Sequence, residues 1–212
     1  MSYIIYGAGG HAKVIIDILH ANHEMIIGVV DDYFKAKEFK GIPVLGKSED
    51  IKRIVKDYPD ARFLVAIGNN NIRMNIVKQL EYFNIKWGTA IHPSAIIGSE
   101  VTIGEGTVMM PNVVVNADSV IGKHTILNTA TTVDHDCSIA DYVHLSPGVH
   151  TAGGVSIGER THIGIAASLI PGVHVGKDTI VGASSCVLSD LPDEIVAVGC
   201  PAKMIKNLKD KG

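Results

Sequence analysis

The sequence predicts a chain in two parts, an α/β unit of alternating strands and helices followed by a parallel β-helix, and three observations carry that expectation. From Ile91 to Pro192 the chain repeats with a period of six through 17 hexads without an insertion. The first 88 residues or so instead alternate short apolar strands with amphipathic helices. The composition, 51 Ile plus Val against 4 Phe and 1 Trp, asks for a core of β-branched side chains packed into narrow, repetitive sheets.

In the N-terminal part, Tyr3 to Tyr6 reads as a short strand, Gly7-Ala8-Gly9-Gly10 as a tight turn, and His11 to Ala21 as a helix with Val14, Ile15, Ile18 and Leu19 on one side. Met25 to Val30 is a second strand that ends at Asp31 and Asp32. Phe34 to Gly46 holds a weak strand signal at Ile42 to Leu45 and stays unassigned. Ser48 to Tyr58 reads as a capped helix, Arg62 to Ile67 as a third strand and Ile72 to Phe83 as a third helix, with Gly68-Asn69-Asn70-Asn71 between them. The result is a small βαβαβα unit on a parallel sheet.

In the repeats, the first position of every hexad from Ile91 to Val187 is aliphatic or Met, except Thr151. The fifth positions from Ala95 to Ser185 are Ala, Val, Thr, Ser or Cys, with Leu191 the one large residue, and the second position is Gly in seven hexads. A period of six gives two inward positions per short strand and turn, and three such strands close a triangular coil of 18 residues. The first residue fills the interior, the small fifth residue fits the corner, and Gly, Asn or Asp at the second position is expected to serve turns with unusual backbone angles. These boundaries divide the chain into residues 1–88, residues 89–193 and a C-terminal segment, residues 194–212.

The 19 Lys plus Arg against 22 Asp plus Glu leave a net charge of -3, with no basic excess for phosphate backbones, which excludes a sequence-independent nucleic-acid binder. No stretch of 18 uninterrupted apolar residues and no basic segment before the first short apolar run are present, so neither a membrane span nor a signal peptide is expected, and a cytoplasmic location is. Cys137, Cys186 and Cys200 lie far apart without a C-x-x-C pair and read as reduced thiols.

Two groups of residues carry chemistry. Gly7, Gly9 and Ala12 satisfy G-x-G-x-x-A between a strand and a helix, and Asp31 closes the next strand. This arrangement aims backbone N–H groups at phosphates and a carboxylate at a ribose or base edge, although a turn that only packs a helix on a strand has the same glycines. One such half suits a nucleotide-activated sugar better than NAD. His11 sits in reach of the glycine loop, and the Asn69–Asn71 run offers either ligand contacts or a helix cap at Asn70 or Asn71. In the repeats, Val133 and Cys137 occupy inward positions, so Asp134, His135 and Asp136 project outward. An imidazole between two carboxylates has raised proton affinity and suits a general base; three solvated turn residues would look the same. His144 and His162 stand one coil apart on one face, but no two of the 10 His are five apart, which argues against a three-histidine zinc site and for no metal. Gly153 and Gly154 leave bare backbone, either for a tight turn or for an N–H that steadies an oxyanion. Cys137 should point inward and not act as a nucleophile, so direct transfer is expected.

The order of these parts, Y-G-A-G-G-H, D-D, A-I-G-N-N, L-N-T-x-x-x-V-D-H-D-C and V-G-x-P-A-K, resembles over nearly the full length the sugar O- and N-acyltransferases of the sialic acid O-acetyltransferase (NeuD) type. Within them it is most similar to the acetyl-CoA-dependent UDP-4-amino-sugar N-acetyltransferases of bacillosamine synthesis, the PglD type. The resemblance implies a Rossmann-like N-terminal unit, a left-handed β-helix and a homotrimer with acetyl-CoA held between adjacent helices. It implies His135 as general base supported by Asp136, one methylene shorter than the Glu of other members. It matches acetyl-CoA contacts to His144, Gly153, Ile165 and Ala183, and nucleotide-sugar contacts to Gly9, Gly10, His11, Asp31, Asp32, Gly68 and Asn71. It also implies a cap over the last coil at residues 197–206, with Lys203 and Lys206 near a CoA phosphate. The expected activity is acetyl transfer to the 4-amino group of a UDP-4-amino-4,6-dideoxy sugar. Alternatives are O-acetylation of sialic or legionaminic acid, N-acetylation of GDP-perosamine, and a non-catalytic nucleotide-sugar-binding scaffold.

Overall fold

Strands Ser2–Tyr6 (β1), Met25–Val30 (β2), Glu38–Phe39 (β3), Ile42–Gly46 (β4), Arg62–Val65 (β5) and Lys86–Trp87 (β6) form one sheet in the order β3-β4-β2-β1-β5-β6. All neighbours are parallel except the β3–β4 hairpin. The structure, a computed structural model, describes residues 1–209 and divides into two units, Met1–Pro93 and Ser94–Gly212. Residues 210–212 of the C-terminal segment lie outside the described residues.

The helices of the first unit are Gly10–Ala21 (α1), Ile51–Asp57 (α2) and Asn70–Glu81 (α3). In α1, Ala12, Ile15, Ile16, Ile18 and Leu19 are buried, a wider apolar face than the expected stripe through Val14. The expected helix from Ser48 opens as a 3-10 turn, Ser48–Asp50, because the Asp50 carboxylate accepts the Lys47 N–H at 2.9 Å and tightens the entry. The unassigned stretch before it is the β3–β4 hairpin. Helix α3 starts at Asn70, two residues earlier than expected. Asn69, and neither Asn70 nor Asn71, is its cap, accepting the Ile72 N–H at 3.0 Å.

The second unit is a parallel β-helix of two-residue strands in three sheets. Strands pair with those one coil away: Ile126↔His144, His144↔His162 and His162↔Ile180 on one face, Thr132↔His150 and His150↔Ser168 on the next, Ser138↔Ser156 and Ser156↔His174 on the third. The inward first positions from Met109 to Val187 are all buried, Thr151 included, whereas Ile97 in the first coil is 41% exposed. The fifth positions from Thr107 to Leu191 are buried as well. Several of their hydroxyls bridge two backbone groups: Ser119 Oγ donates to Asp134 O at 2.7 Å and accepts from Cys137 N at 3.1 Å, and Thr161 repeats the arrangement with Gly176 O and Thr179 N. A buried hydroxyl thus satisfies peptide groups that a triangular corner leaves without a ladder partner. A hairpin of Ile195–Val198 and Lys203–Asn207 extends one sheet beyond Ile180–Val181.

The turn chemistry differs from the expectation. Left-handed backbone falls on the fourth position of each hexad, from Glu100 (φ 55°) to Ser184 (φ 54°), in side chains as varied as His124, Tyr142 and Arg160. The second-position glycines serve close approach instead. A Cβ on Gly98 would lie 2.7 Å from Ala117 N, and one on Gly164 2.6 Å from Ala183 N, both backbone atoms of the next coil. The two positions should therefore respond oppositely. Gly164→Ala should lose about 1–3 kcal/mol through overpacking, while Ala166→Gly, which relieves a φ of 56°, should gain up to about 1 kcal/mol after the entropy cost of glycine. Denaturant unfolding of both variants checks the contrast.

Candidate active site

The turn at residues 134–137 follows strand Thr132–Val133 and is anchored on both sides by its neighbouring coils. Val133 and Cys137 are buried, and the side chains of His135 and Asp136 are 61% and 67% exposed. The two flanking carboxylates have separate tasks. Asp136, in left-handed backbone at φ 59°, places Oδ2 2.7 Å from His135 Nδ1. The shorter Asp therefore reaches the ring. Asp134 turns the other way: its Oδ1 accepts the His135 N–H at 2.9 Å and the Asn116 amide at 2.8 Å. The Asp136 hydrogen bond, followed by the charge of Asp134, raises the His135 pKa above that of an ordinary imidazole. Hydrogen bonds from Asn116 and the His135 N–H hold the Asp134 carboxyl below its usual range.

One coil further on, Gly153 lies against the imidazole. A Cβ there would stand 2.5 Å from His135 Cε1 and 2.7 Å from Nε2, so a side chain at 153 would displace the ring. His144 sits on a different face; its Nε2 is 3.1 Å from Asn128 Nδ2 and its ring 4.9 Å from that of His162. Ile165, 56% exposed, and Ala183 share another corner of the triangle, one coil apart. A single chain thus brings Gly153 to His135 but leaves Ile165 and Ala183 at a separate corner. Cys137 points inward, its Sγ 3.3 Å from Ala152 O.

In the first unit the chain reverses direction across β1, whose neighbours are β2 and β5, and the loops at the carboxyl ends of β1 and β5 flank that switch point. Gly9 precedes α1 without a side-chain cap, and a Cβ on Gly9, Gly10 or Gly68 would meet nothing within 4 Å, so these loops present open backbone. Asn71 is exposed in the first turn of α3. Asp31 and Asp32 carry internal bonds. Asp31 Oδ2 accepts from Ala8 N at 2.7 Å, and its Oδ1 from Tyr33 N and Phe34 N at 2.8 Å, which ties the glycine loop to the β2 turn. Asp32 accepts from Tyr6 Oη at 2.7 Å and Ser48 N at 2.8 Å. Burial opposes its ionisation, and these bonds prevail and hold its pKa low.

Four residues that organise these sites were absent from the sequence expectation. Arg73 is 1% exposed and donates to Ile67 O at 2.9 Å, Gly68 O at 3.1 Å and Asn70 Oδ1 at 2.8 Å, shaping the β5–α3 loop from beneath. Burial, and then the Arg73 cation, lower the His11 pKa to about 4. Tyr6 holds Asp32, and Asn116 and Ser119 hold the His135 turn. Asn116 and Ser119 stand 18 residues before Asp134 and Cys137, a spacing through which the repeat register could have found them. No such signal marks Arg73. Among the described residues no helix is long and apolar enough to cross a membrane, and no group of three or more His, Cys, Asp or Glu is placed to hold a metal.

A Rossmann-like sheet with open glycine loops, joined in sequence to a hexapeptide β-helix bearing an exposed imidazole–carboxylate pair, defines a two-part transferase class of fold. Residues 3–80 match the PglD N-terminal domain family. The solved structure of PerB from Caulobacter crescentus, in complex with CoA and GDP-perosamine, is 41% identical, covers 97% of this chain and 98% of its own, and superposes with a TM-score of 0.92. The acetyltransferase domain of PglB from Neisseria gonorrhoeae FA1090 is 35% identical with a TM-score of 0.90, over 96% of this chain and 99% of that one. UDP-N-acetylbacillosamine N-acetyltransferase of Bacillus subtilis (strain 168) is 40% identical over 102 residues, 48% of this chain and 47% of that protein, so the match spans about half of that curated relative. The chain belongs to the sugar N-acetyltransferase family with a left-handed β-helix.

The neutral His11 has a measurable signature. Its folded pKa lies below the unfolded 6.5, so the stability it supports is present above pH 6.5 and lost as pH falls toward about 4. Between those limits wild type should lose up to about 3 kcal/mol more than His11→Asn, read from thermal unfolding across the pH range.

Proposed function

We propose that the protein transfers an acetyl group from acetyl-CoA to the 4-amino group of a UDP-4-amino-4,6-dideoxy sugar, with His135 as general base and no covalent enzyme intermediate. The observation that carries this reading is the 2.7 Å contact between His135 Nδ1 and Asp136 Oδ2. It fixes the tautomer with the proton on Nδ1 and leaves the Nε2 lone pair to act. As the sugar amine attacks the thioester carbon, Nε2 takes a proton from the amine nitrogen. The imidazolium, steadied by Asp136, then returns a proton to the departing CoA thiolate. The Gly153 N–H is assigned to the tetrahedral oxyanion.

The open loops at Gly9, Gly10, Gly68 and Asn71 are assigned to the nucleotide sugar's phosphates and sugar, with His11 as a neutral hydrogen-bonding ring. Asp31 and Asp32, which already anchor backbone and Tyr6, reach the nucleotide with their remaining lone pairs. His144, Ile165 and Ala183 are assigned to acetyl-CoA. The separate corner occupied by Ile165 and Ala183 supports a homotrimer in which acetyl-CoA lies between adjacent β-helices and these residues complement the His135 of a neighbouring copy. We place the reaction in the cytoplasm.

A second reading, a GDP-linked acceptor, is favoured by the near full-length likeness to the perosamine enzyme bound to GDP-perosamine. Thiol release from acetyl-CoA measured with the UDP-linked and the GDP-linked amino sugar separates the two. His135→Ala should reduce turnover by about 10²–10⁴-fold. Thiol release kept at the wild-type rate in this variant removes His135 as the base, and no release by a folded wild type with any of the sugars leaves a binding scaffold.

The pH profile tests the imidazole–carboxylate pair. Below its pKa the imidazolium cannot accept a proton, so the acid limb of kcat/KM should lie above that of an ordinary imidazole. In Asp136→Asn the hydrogen bond to a charged partner is lost, and the limb should move to lower pH with a weaker base and a smaller kcat. An unmoved limb would show that Asp136 does not set the basicity of His135.

A further inference from the structure

The sequence Asp134-His135-Asp136 is symmetric about the imidazole, and the structure is not. Only Asp136 bonds the ring; Asp134 is turned to the backbone. Asp134 has a further partner one coil below. Asn116, 18 residues before Asp134 and at the same hexad position, gives its amide to Asp134 Oδ1 at 2.8 Å. That same oxygen accepts the His135 N–H. The surrounding hydrogen bonds keep the two turns in register: Asn116 N donates to Val133 O at 2.9 Å, Asp136 N to Ala117 O at 3.1 Å, and Ser119 Oγ to Asp134 O at 2.7 Å.

We propose that Asn116 is a positioning residue for the base, committing the Asp134 carboxylate to the His135 backbone so that Asp136 alone holds the ring and leaves Nε2 free for the substrate. An amide suits this task because it donates a hydrogen bond without adding charge. A carboxylate at 116 would face the Asp134 carboxylate, repel it from the cap and leave it free to compete for the ring. The charged groups that bear on His135 are Asp134 and Asp136 in its own turn and Asp118 in the coil below. The coil above, Thr151-Ala152-Gly153-Gly154, brings none.

The proposal rests on His135 being the base, and its test is arranged so that the two fail separately. The imidazole titration of His135 is followed by NMR in the substrate-free protein, with His135→Ala identifying the resonance, for wild type, Asn116→Asp and Asn116→Ala. The same proteins are assayed for kcat and for KM toward acetyl-CoA. Asn116→Asp adds a negative charge and releases Asp134, so the titration midpoint should rise by about 0.5 pH unit and kcat should fall about tenfold, with KM for acetyl-CoA within about twofold. Asn116→Ala should lower kcat in the same sense, and it serves if the aspartate variant does not fold. A midpoint and kcat equal to wild type in a folded variant overturn the positioning role, as does a loss of thermal stability alone. Activity retained by His135→Ala would overturn the assignment of the base, while the midpoint in Asn116→Asp still decides whether Asn116 governs the carboxylates around that ring.

Discussion

The 18-residue coil sets every distance around His135. Because no insertion interrupts it, residue i of one turn lies against residue i+18 of the next, and the backbone hydrogen bonds between coils keep that spacing as far as Val187. The site is therefore a column. Asn116 and Ser119 hold the turn from below, His135 and Asp136 stand in the middle, and Gly153 lies against the ring from above. The same rule joins Arg160 to Asp178 by two charge-assisted bonds of 2.7 and 2.6 Å. The uninterrupted repeat and the chemistry thus depend on the same constraint.

Within that frame, backbone conformation does part of the electrostatic work. From Glu100 to Ser184 the fourth position of each hexad adopts left-handed backbone whatever its side chain, and Asp136 occupies one such position. There the short aspartate side chain curls back to Nδ1 of the preceding histidine. Asp134, two residues earlier, caps the His135 N–H instead. Two identical carboxylates therefore differ in their hydrogen-bond partners.

The first unit follows another logic. Its loops present open backbone because Gly9, Gly10 and Gly68 meet no neighbour, yet they are held from behind by polar bonds. Arg73 gathers the carbonyls of Ile67 and Gly68, Asp31 ties the glycine loop to the second strand, and Asp32 joins Tyr6 to the start of the α2 region. A rigid support beneath an exposed backbone is suited to a polyanionic ligand, since little ordering is left to be done on binding. His11, neutral beside Arg73, adds a hydrogen-bonding group without a second cation.

Periodicity made the β-helix legible from the sequence, because a burial pattern of period six is a one-dimensional signal: the buried positions from Met109 to Val187 fall where the repeat places them. The glycine loop, the ends of β1 and β2, and the outward projection of His135 were equally local, whereas β5 ends at Val65, two residues before the expected Ile67. The resemblance already pointed to Asp136 as the partner of His135, but the sequence did not reveal the bond of Asp134 to Asn116, nor assign left-handed backbone to the fourth position in place of the second. It also missed the buried Arg73 and mistook the helix cap, which falls on Asn69 among three consecutive asparagines. Composition and spacing determined which residues point inward and which meet solvent. Tertiary structure decided which polar atoms pair, because a hydrogen bond depends on distances of a few tenths of an ångström between segments that the sequence keeps apart.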